Sequence, residues 1–478
     1  MPRETHNKRG NEEASRRIIA GMRRTFVCFC LVITLLLAGC SPAQPAGWLQ
    51  VIAHPDGPLY VGDQVSFEVL APAASGEQSG SIQVTFQGQD LGQASIAPFG
   101  MGSRNQATLW WVWDTRGLKP GRYAVTFTRL PDKFSWTETY SLRPESQVPP
   151  PQPGAHWAYL NTACCIIHYI TGTAAARDIN VLGREADLAS AAVAKQMGIT
   201  LNKPIDVTLM SRVLGQGGFT SNSVYLSYLD GNYTGDEMPI LFHHEFVHYY
   251  DAIEGGKYRP PFFEEGLAVY LSGGHFKPEP LVARADALLT LGGYIPLTTV
   301  ANNFYNQQHD ISYLEAATLV KYMVETYGWA DFNQFYRDIS APEKGQSDSA
   351  VIDAALQAHF KRSFADLESA YLAYLRRQAF TEEQRADLQV TVKFFDTVRR
   401  YQEALDPSAY FLYAWLPDGS VMRQRNIVAD LVRHPAGWQN RLSEALLERA
   451  HAEWFSGDYA GAERTLQWTN WLLNILAP

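Results

Sequence analysis

The residues best suited to chemistry lie in one stretch, Ile240-Leu-Phe-His-His-Glu-Phe-Val-His-Tyr-Tyr-Asp251. Within it, His244-Glu245-Phe246-Val247-His248 has the H-E-x-x-H spacing. On a helix, positions four apart lie on one face, a turn from each other. His244 and His248 can therefore offer two imidazole nitrogens to a single ion. Glu245 stands next to them as an acceptor for a proton from water activated by that ion. Asp251 is three residues past His248 and roughly on the same face, a candidate to orient a ligand histidine from behind. The bare pattern also arises by chance, so its surroundings matter. No Pro or Gly interrupts Ile240 to Ile253, and Phe242, Phe246, Tyr249 and Ile253 line one side, with Leu241 and Val247 on others. A helix apolar nearly all round is a buried helix. Polar groups buried there without partners cost about 1–3 kcal/mol each. A metal ion satisfies both histidines and the glutamate, and no other partner is evident nearby in the sequence.

Catalytic zinc usually takes three protein ligands. Gly255, Gly256, Pro260 and Pro261 end the first helix, and a second apolar helix begins at Phe262-Phe-Glu-Glu-Gly-Leu-Ala-Val-Tyr-Leu271. An acidic residue in its first turn sits at the favourable end of the helix dipole. Glu264 and Glu265 both qualify, and on that ground alone either is an ordinary acidic helix start.

H-E-x-x-H followed by Phe-Phe-Glu-Glu-Gly-Leu-Ala resembles the gluzincin metallopeptidases, the group of thermolysin and the aminopeptidase N-like enzymes. More narrowly it resembles the bacterial peptidase MA-like family. The likeness covers about residues 157–376. It implies an α+β zincin-like domain, one Zn2+ ion, and a third ligand at the Glu immediately before Gly. That position is Glu265, with 16 residues between it and His248. The interval is a little shorter than in thermolysin and the aminopeptidases, which keeps Glu264 open as the alternative. Tyr313-Leu-Glu-Ala-Ala-Thr-Leu-Val-Lys-Tyr-Met323 is similar to the aminopeptidase helix whose leading Tyr hydrogen-bonds the developing oxyanion, and Tyr313 is the matching position. The plain alternative is a tyrosine packed at a helix start. His275 and His309 are looser candidates for stabilising the oxyanion. In the gluzincin plan an edge strand just before the H-E-x-x-H helix pairs with an extended substrate. Val224, Tyr225 and Leu226, in the strand running to Leu229, are the candidates for that pairing.

The implied activity is hydrolysis of peptide bonds in a peptide or protein substrate, with Glu245 as general base. Aminopeptidases of the group carry a G-x-M-E-N segment whose Glu binds the free amine. The corresponding Gly217-Gly-Phe-Thr-Ser-Asn222 has no acidic residue, so an endopeptidase is expected. The competing reading is a catalytically inactive surface lipoprotein whose peptidase-like core and flanking domains serve binding or assembly. The complete His, Glu, His, Glu set speaks against it.

The elements that must position these residues are spread along a chain of 478 residues, enough for several domains. Residues 1–39 read as a polar leader and a lipoprotein signal peptide. Met22-Arg-Arg precedes an apolar run from Thr25 to Ala38 that is short for a bilayer span. It ends Leu37-Ala-Gly-Cys-Ser41, which resembles the bacterial lipobox, and implies lipidation of Cys40 and an extracytoplasmic chain held to the cell membrane. An over-called start, with translation beginning at Met22, fits the same stretch. The leader carries seven Lys/Arg against three Asp/Glu, so its removal takes the net charge from −9 to −13. A nucleic-acid partner is not expected of such a surface. Of five cysteines, only Cys164 and Cys165 remain after Cys40. Sequence neighbours seldom meet the Cα separation a disulfide needs, so both are expected as small buried hydrophobes.

Residues 40–47 form a tether. From 48 to 143 the period-two runs Val65–Val69, Ser81–Phe86, Ala107–Trp113 and Tyr123–Phe127 predict an all-β immunoglobulin-like sandwich. Trp110, Trp111 and Trp113 are expected in its core or edge rather than as a carbohydrate-stacking patch. Residues 144–156 read as a proline-rich linker between two folding units. The domain at 157–376 opens with a strand at Ile166–Ile170, a helix from Ala174 to Met197 and a strand at Ile205–Met210, with a flexible bend at Gly215–Phe219. His168 is expected as a strand residue rather than a ligand. Residues 377–478 are expected to be all-α, a packing or interaction region.

Overall fold

The computed structural model describes residues 49–71, 80–212, 217–235, 237–414, 416, 418–429, 433 and 437–476. The leader, Cys40 and the tether lie outside the described residues. From Leu49 onward the chain forms one compact unit. It is multidomain in composition, with a β-sheet N-terminal region and a mostly helical C-terminal region. Among the described residues no helix is long and apolar enough to cross a membrane.

Among the described residues, nine strands come first: β1 (Gln50–His54), β2 (Leu59–Tyr60), β3 (Gln64–Leu70), β4 (Ser81–Phe86), β5 (Gln89–Ser95), β6 (Ala97–Phe99), β7 (Arg104–Asp114), β8 (Gly121–Leu130) and β9 (Phe134–Arg143). They make two sheets, ordered β1-β3-β7-β6 and β2-β9-β8-β4-β5. Buried and half-buried residues alternate strictly along β4, the mark of a strand with one face inward. Val65, Phe67 and Val69 from one sheet share a core with Ile82, Val84, Val125 and Phe127 from the other. Trp113 joins that core. Trp111 packs instead against Ile170, Met210 and Met422, beneath the guanidinium of Arg425.

A third sheet follows, of β10 (Trp157–Asn161), β11 (Cys165–Ile170), β12 (Ile205–Met210), β13 (Gly218–Thr220) and β14 (Val224–Ser227), in the order β10-β11-β12-β14-β13. Strands β11, β12 and β14 run parallel. This order corrects the expectation for the substrate strand. Val224, Tyr225 and Leu226 lie inside the sheet, paired with β12 on one side and β13 on the other. Glycines made residues 215–219 look like a bend. In the structure Gly218, Phe219 and Thr220 fold back opposite Leu226, Tyr225 and Val224, and so occupy the edge. A second correction concerns the cysteines. Cys164 and Cys165 are joined as a disulfide, their Cα atoms 3.8 Å apart. They sit where the chain bends out of β10 into β11, and Cys165 is buried against the sheet core.

Helix α1 (Ala174–Met197) is capped by the Thr173 hydroxyl, which accepts from the Ala176 N–H. It buries Ile179, Leu182, Ala186 and Val193, the 3–4 spacing of an amphipathic helix. The site helices are α2 (Met238–Glu254), α3 (Pro261–Ser272), α4 (Leu281–Thr290), α5 (Leu297–Asn302) and α6 (His309–Tyr327). They are followed by α7 (Trp329–Asp338), α8 (Asp348–Phe360) and α9 (Phe364–Leu375). Helices α3 and α6 meet closely at Gly266, where a Cβ would stand 2.8 Å from the Ala316 carbonyl oxygen.

The C-terminal region comprises α10 (Glu382–Leu405), α11 (Gly419–Gln424), α12 (Trp438–Phe455) and α13 (Tyr459–Leu476). Phe394, Leu447, Trp454 and Leu466 make its core. Buried Arg284 of α4 pairs with Glu279 at 3.2 Å, with Asp310 at 3.4 Å and with Asp387 of α10. The C-terminal region is therefore packed directly against the region that precedes it. The same is seen at the N-terminal region. Buried Arg212 pairs with Asp56 at 2.6 Å and with Asp406 at 3.0 Å, and the Ser408 hydroxyl donates to Asp56.

His54 sits in that cluster, 3.0 Å from Glu68 and 3.6 Å from Asp56. Burial pulls its imidazolium down, but the two carboxylates outweigh burial and push the pKa up to about 10. The unfolded value is near 6.5. His54 thus contributes stability that is whole below about pH 6.5 and is lost as pH rises through about 10. Urea unfolding should show stability falling between pH 7 and 10, and His54→Gln should flatten that decline. An equal slope in both proteins would contradict the assignment.

Candidate metal centre

Helix α2 carries Pro239 in its first turn, where a missing N–H costs nothing. It buries every residue from Ile240 to Asp251 except His243. The 3.6-residue period turns His244 and His248 to one side, where α3 presents Glu265. His244 Nε2 and His248 Nε2 lie 3.0 Å apart. Glu265 Oε2 is 3.3 Å from each. Among the described residues these three form the group able to hold a metal ion.

The donor set can be tested against an ion. Tetrahedral zinc, with ligands at about 2.0–2.1 Å, sets neighbouring donors about 3.3–3.4 Å apart. The observed triangle is 3.0, 3.3 and 3.3 Å. Glu265 Oε2 is buried and accepts no hydrogen bond from the described residues, while Oε1 accepts one from Tyr305 at 2.8 Å. Two imidazole nitrogens and one carboxylate oxygen suit zinc. The residues fit the ion.

Charge within the trio agrees. Burial disfavours the Glu265 carboxylate, but His248 and His244 overcome it and hold Glu265 well below the usual carboxylate range. Burial likewise opposes charge on His248, yet Glu265 pushes its pKa up to about 10. His248 and Glu265 thus favour opposite charges, and a divalent cation would take the place of the proton between them.

Glu264 does not join the trio. It pairs with Arg259 at 3.0 Å. Asp251 is also elsewhere, which corrects its expected role. Its carboxylate is 2.7 Å from Arg337 and 3.2 Å from Arg259, and it accepts a hydrogen bond from Tyr336. Two guanidinium groups hold it more strongly than a neutral imidazole would. The Nδ1 atoms of His244 and His248 are buried and have no hydrogen-bond partner among the described residues.

Glu245 faces the edge strand. The Thr220 hydroxyl donates to its Oε2 at 2.7 Å. Strand β13 passes so close that a Cβ on Gly218 would stand 2.5 Å from Glu245 Oε1. Burial raises the Glu245 pKa, and the neighbouring histidines and Thr220 only partly offset it. A carboxylate so placed has a raised affinity for a proton.

These side chains line a cavity of about 250 Å³. Tyr313, from the first turns of α6, is buried in its wall and stacks on His275, ring centroids 4.0 Å apart. Burial, then the Glu265 charge, raises the Tyr313 phenol well above its usual range, so it stays a hydrogen-bond donor. His275 and His309 line the same cavity, and burial keeps both neutral. His168 pairs with Asp206 on the sheet, 3.1 Å away.

Several contributors were not legible beforehand. Tyr305 has no motif around it, and Gly218 and Thr220 lie in the Gly217–Asn222 stretch, which was informative only for its missing acidic residue. Phe395, Val398, Arg399 and Gln402 of α10 also line the cavity, so the C-terminal region completes the site.

No protein-family model matches the chain, and no curated protein matches it. Among solved structures, an aminopeptidase N family protein from Idiomarina loihiensis is similar at 11% identity and a TM-score of 0.27, over 79% of this chain and 78% of that one. A likeness that slight does not bear on the function.

Proposed function

We propose that this chain is a zinc-dependent peptidase, an endopeptidase held outside the cytoplasmic membrane by lipid on Cys40. The observation that supports the catalytic reading is the convergence of His244, His248 and Glu265 beside Glu245 in one cavity. His244, His248 and Glu265 would hold the ion. A bound zinc supplies Lewis acidity, polarising the scissile carbonyl and acidifying the attacking water.

Glu245 accepts the proton that this water loses as its oxygen bonds to the carbonyl carbon. It then returns the proton to the leaving nitrogen as the C–N bond breaks. Thr220 fixes Oε2 and leaves Oε1 on the side of β13. Tyr313 donates to the developing oxyanion, a kind of contact whose loss costs about 3–4 kcal/mol elsewhere. The edge strand β13, rather than Val224 to Leu226, offers its backbone to an extended substrate. Glu264, the remaining carboxylate of the cavity among the described residues, is engaged by Arg259, so among the described residues no free carboxylate waits for a substrate amine. Attachment through Cys40 rests on the sequence alone.

The test is hydrolysis of an unstructured polypeptide such as casein. The zinc-loaded protein should cut internal bonds, lose that activity with 1,10-phenanthroline and regain it with added zinc. No cleavage by zinc-loaded protein would favour the inactive lipoprotein instead.

A further inference from the structure

Among the described residues, a cation in the cavity wall has only neutral groups as its direct partners. Arg399 of α10 donates from Nη1 to the Gln307 carbonyl at 3.0 Å. Its Nη2 lies 2.7 Å from His309 Nδ1. Its guanidinium stands 4.7 Å from the centre of the Phe411 ring. All three partners are neutral, since burial keeps His309 uncharged. Asp396, one turn earlier on the same helix, accepts from Gln308 at 3.2 Å and acts on Arg399 only at longer range. Among the described residues no carboxylate lies within ion-pair distance of Arg399. The cavity's own carboxylates are committed: Glu245 to Thr220, Glu264 to Arg259, and Glu265 to the histidines and Tyr305.

Secluded charges in proteins are normally paired. A guanidinium held at two nitrogens by neutral acceptors is oriented but not neutralised, and it carries five N–H donors in all. Its planar fork matches a carboxylate in two parallel hydrogen bonds. Its place in the wall that also holds Glu245 and the metal trio puts a bound anion close to the reacting bond.

We propose that Arg399 binds a carboxylate of the substrate, so that the site takes peptides bearing a free carboxylate a short distance from the bond that is cut. This rests on the peptidase reading. Two sources share the chemistry: the C-terminal α-carboxylate, and the side chain of an aspartate or glutamate.

Binding can be read without turnover in the full chain carrying Glu245→Gln and loaded with zinc. The probes are acetyl-trialanine against its C-terminal amide, and acetyl-Ala-Glu-Ala amide against acetyl-Ala-Gln-Ala amide. Calorimetry should show one acid binding about ten- to a hundredfold tighter than its neutral twin, the scale of a charge-assisted hydrogen bond. The pair that discriminates identifies the source. Adding Arg399→Gln should erase the difference, while Arg399→Lys should keep part of it. Equal binding within both pairs, or a preference that survives Arg399→Gln, overturns the proposal. The first comparison needs no change at residue 399, so a variant that fails to fold does not shield the idea. Carboxylate preference without hydrolysis by the unsubstituted protein would contradict the peptidase reading and leave this site standing. Hydrolysis without the preference would do the reverse.

Discussion

Glu245→Gln is expected to keep zinc and to lower turnover of a cleaved peptide by about two to four orders of magnitude. Glutamine has the size of glutamate and can still take the Thr220 hydrogen bond, so α2 and the ligand trio should be undisturbed. What disappears is the proton acceptor. Burial raises the Glu245 pKa, and an amide has no comparable basicity to offer. The measurement is kcat beside metal content. Turnover within about tenfold of the unsubstituted protein, with zinc in place, would remove Glu245 from the chemistry. It would leave the cluster a structural metal site.

The second large effect comes from a residue with no side chain. Gly218→Ala places a Cβ 2.5 Å from Glu245 Oε1 and 2.7 Å from its Cγ. The end of a glutamate side chain is free to yield, so the fold should accept the change with little loss of thermal stability. The yielding atom is the general base, however, and Thr220 already holds its other oxygen at 2.7 Å. A displacement of about an ångström in a reacting group costs on the order of a hundredfold in rate. We expect kcat to fall by about that factor while melting temperature and zinc content hold. An alanine variant as active as the parent would mean that Glu245 is not confined by the edge strand.

The range of each interaction decided how far it could be read in advance. The H-E-x-x-H helix and α1 were legible because the 3.6-residue period is local. The turn to α3 was legible from its glycines and prolines, and the choice of Glu265 over Glu264 from a likeness in the motif. Partners set by distant residues were not. Asp251 is claimed by Arg337, on a helix far along the chain, and nothing near Asp251 announces that. The edge position passed from β14 to β13 because a glycine-rich segment folded back on its neighbour. Tyr305 and Arg399 reach the cavity from helical segments whose pattern reports only which face is apolar. Cys164 and Cys165 were judged on the spacing common to disulfides, which a bond between neighbours does not follow.

Everything proposed for this site depends on one ion being shared by three side chains from two successive helices. The most direct test of that sharing is zinc content by plasma mass spectrometry, after dialysis against metal-free buffer. We expect one zinc per chain in the unsubstituted protein, and its loss in both His248→Ala and Glu265→Ala. A chain that retains no zinc after being offered it, or a His248→Ala protein that retains as much as the parent, would contradict it.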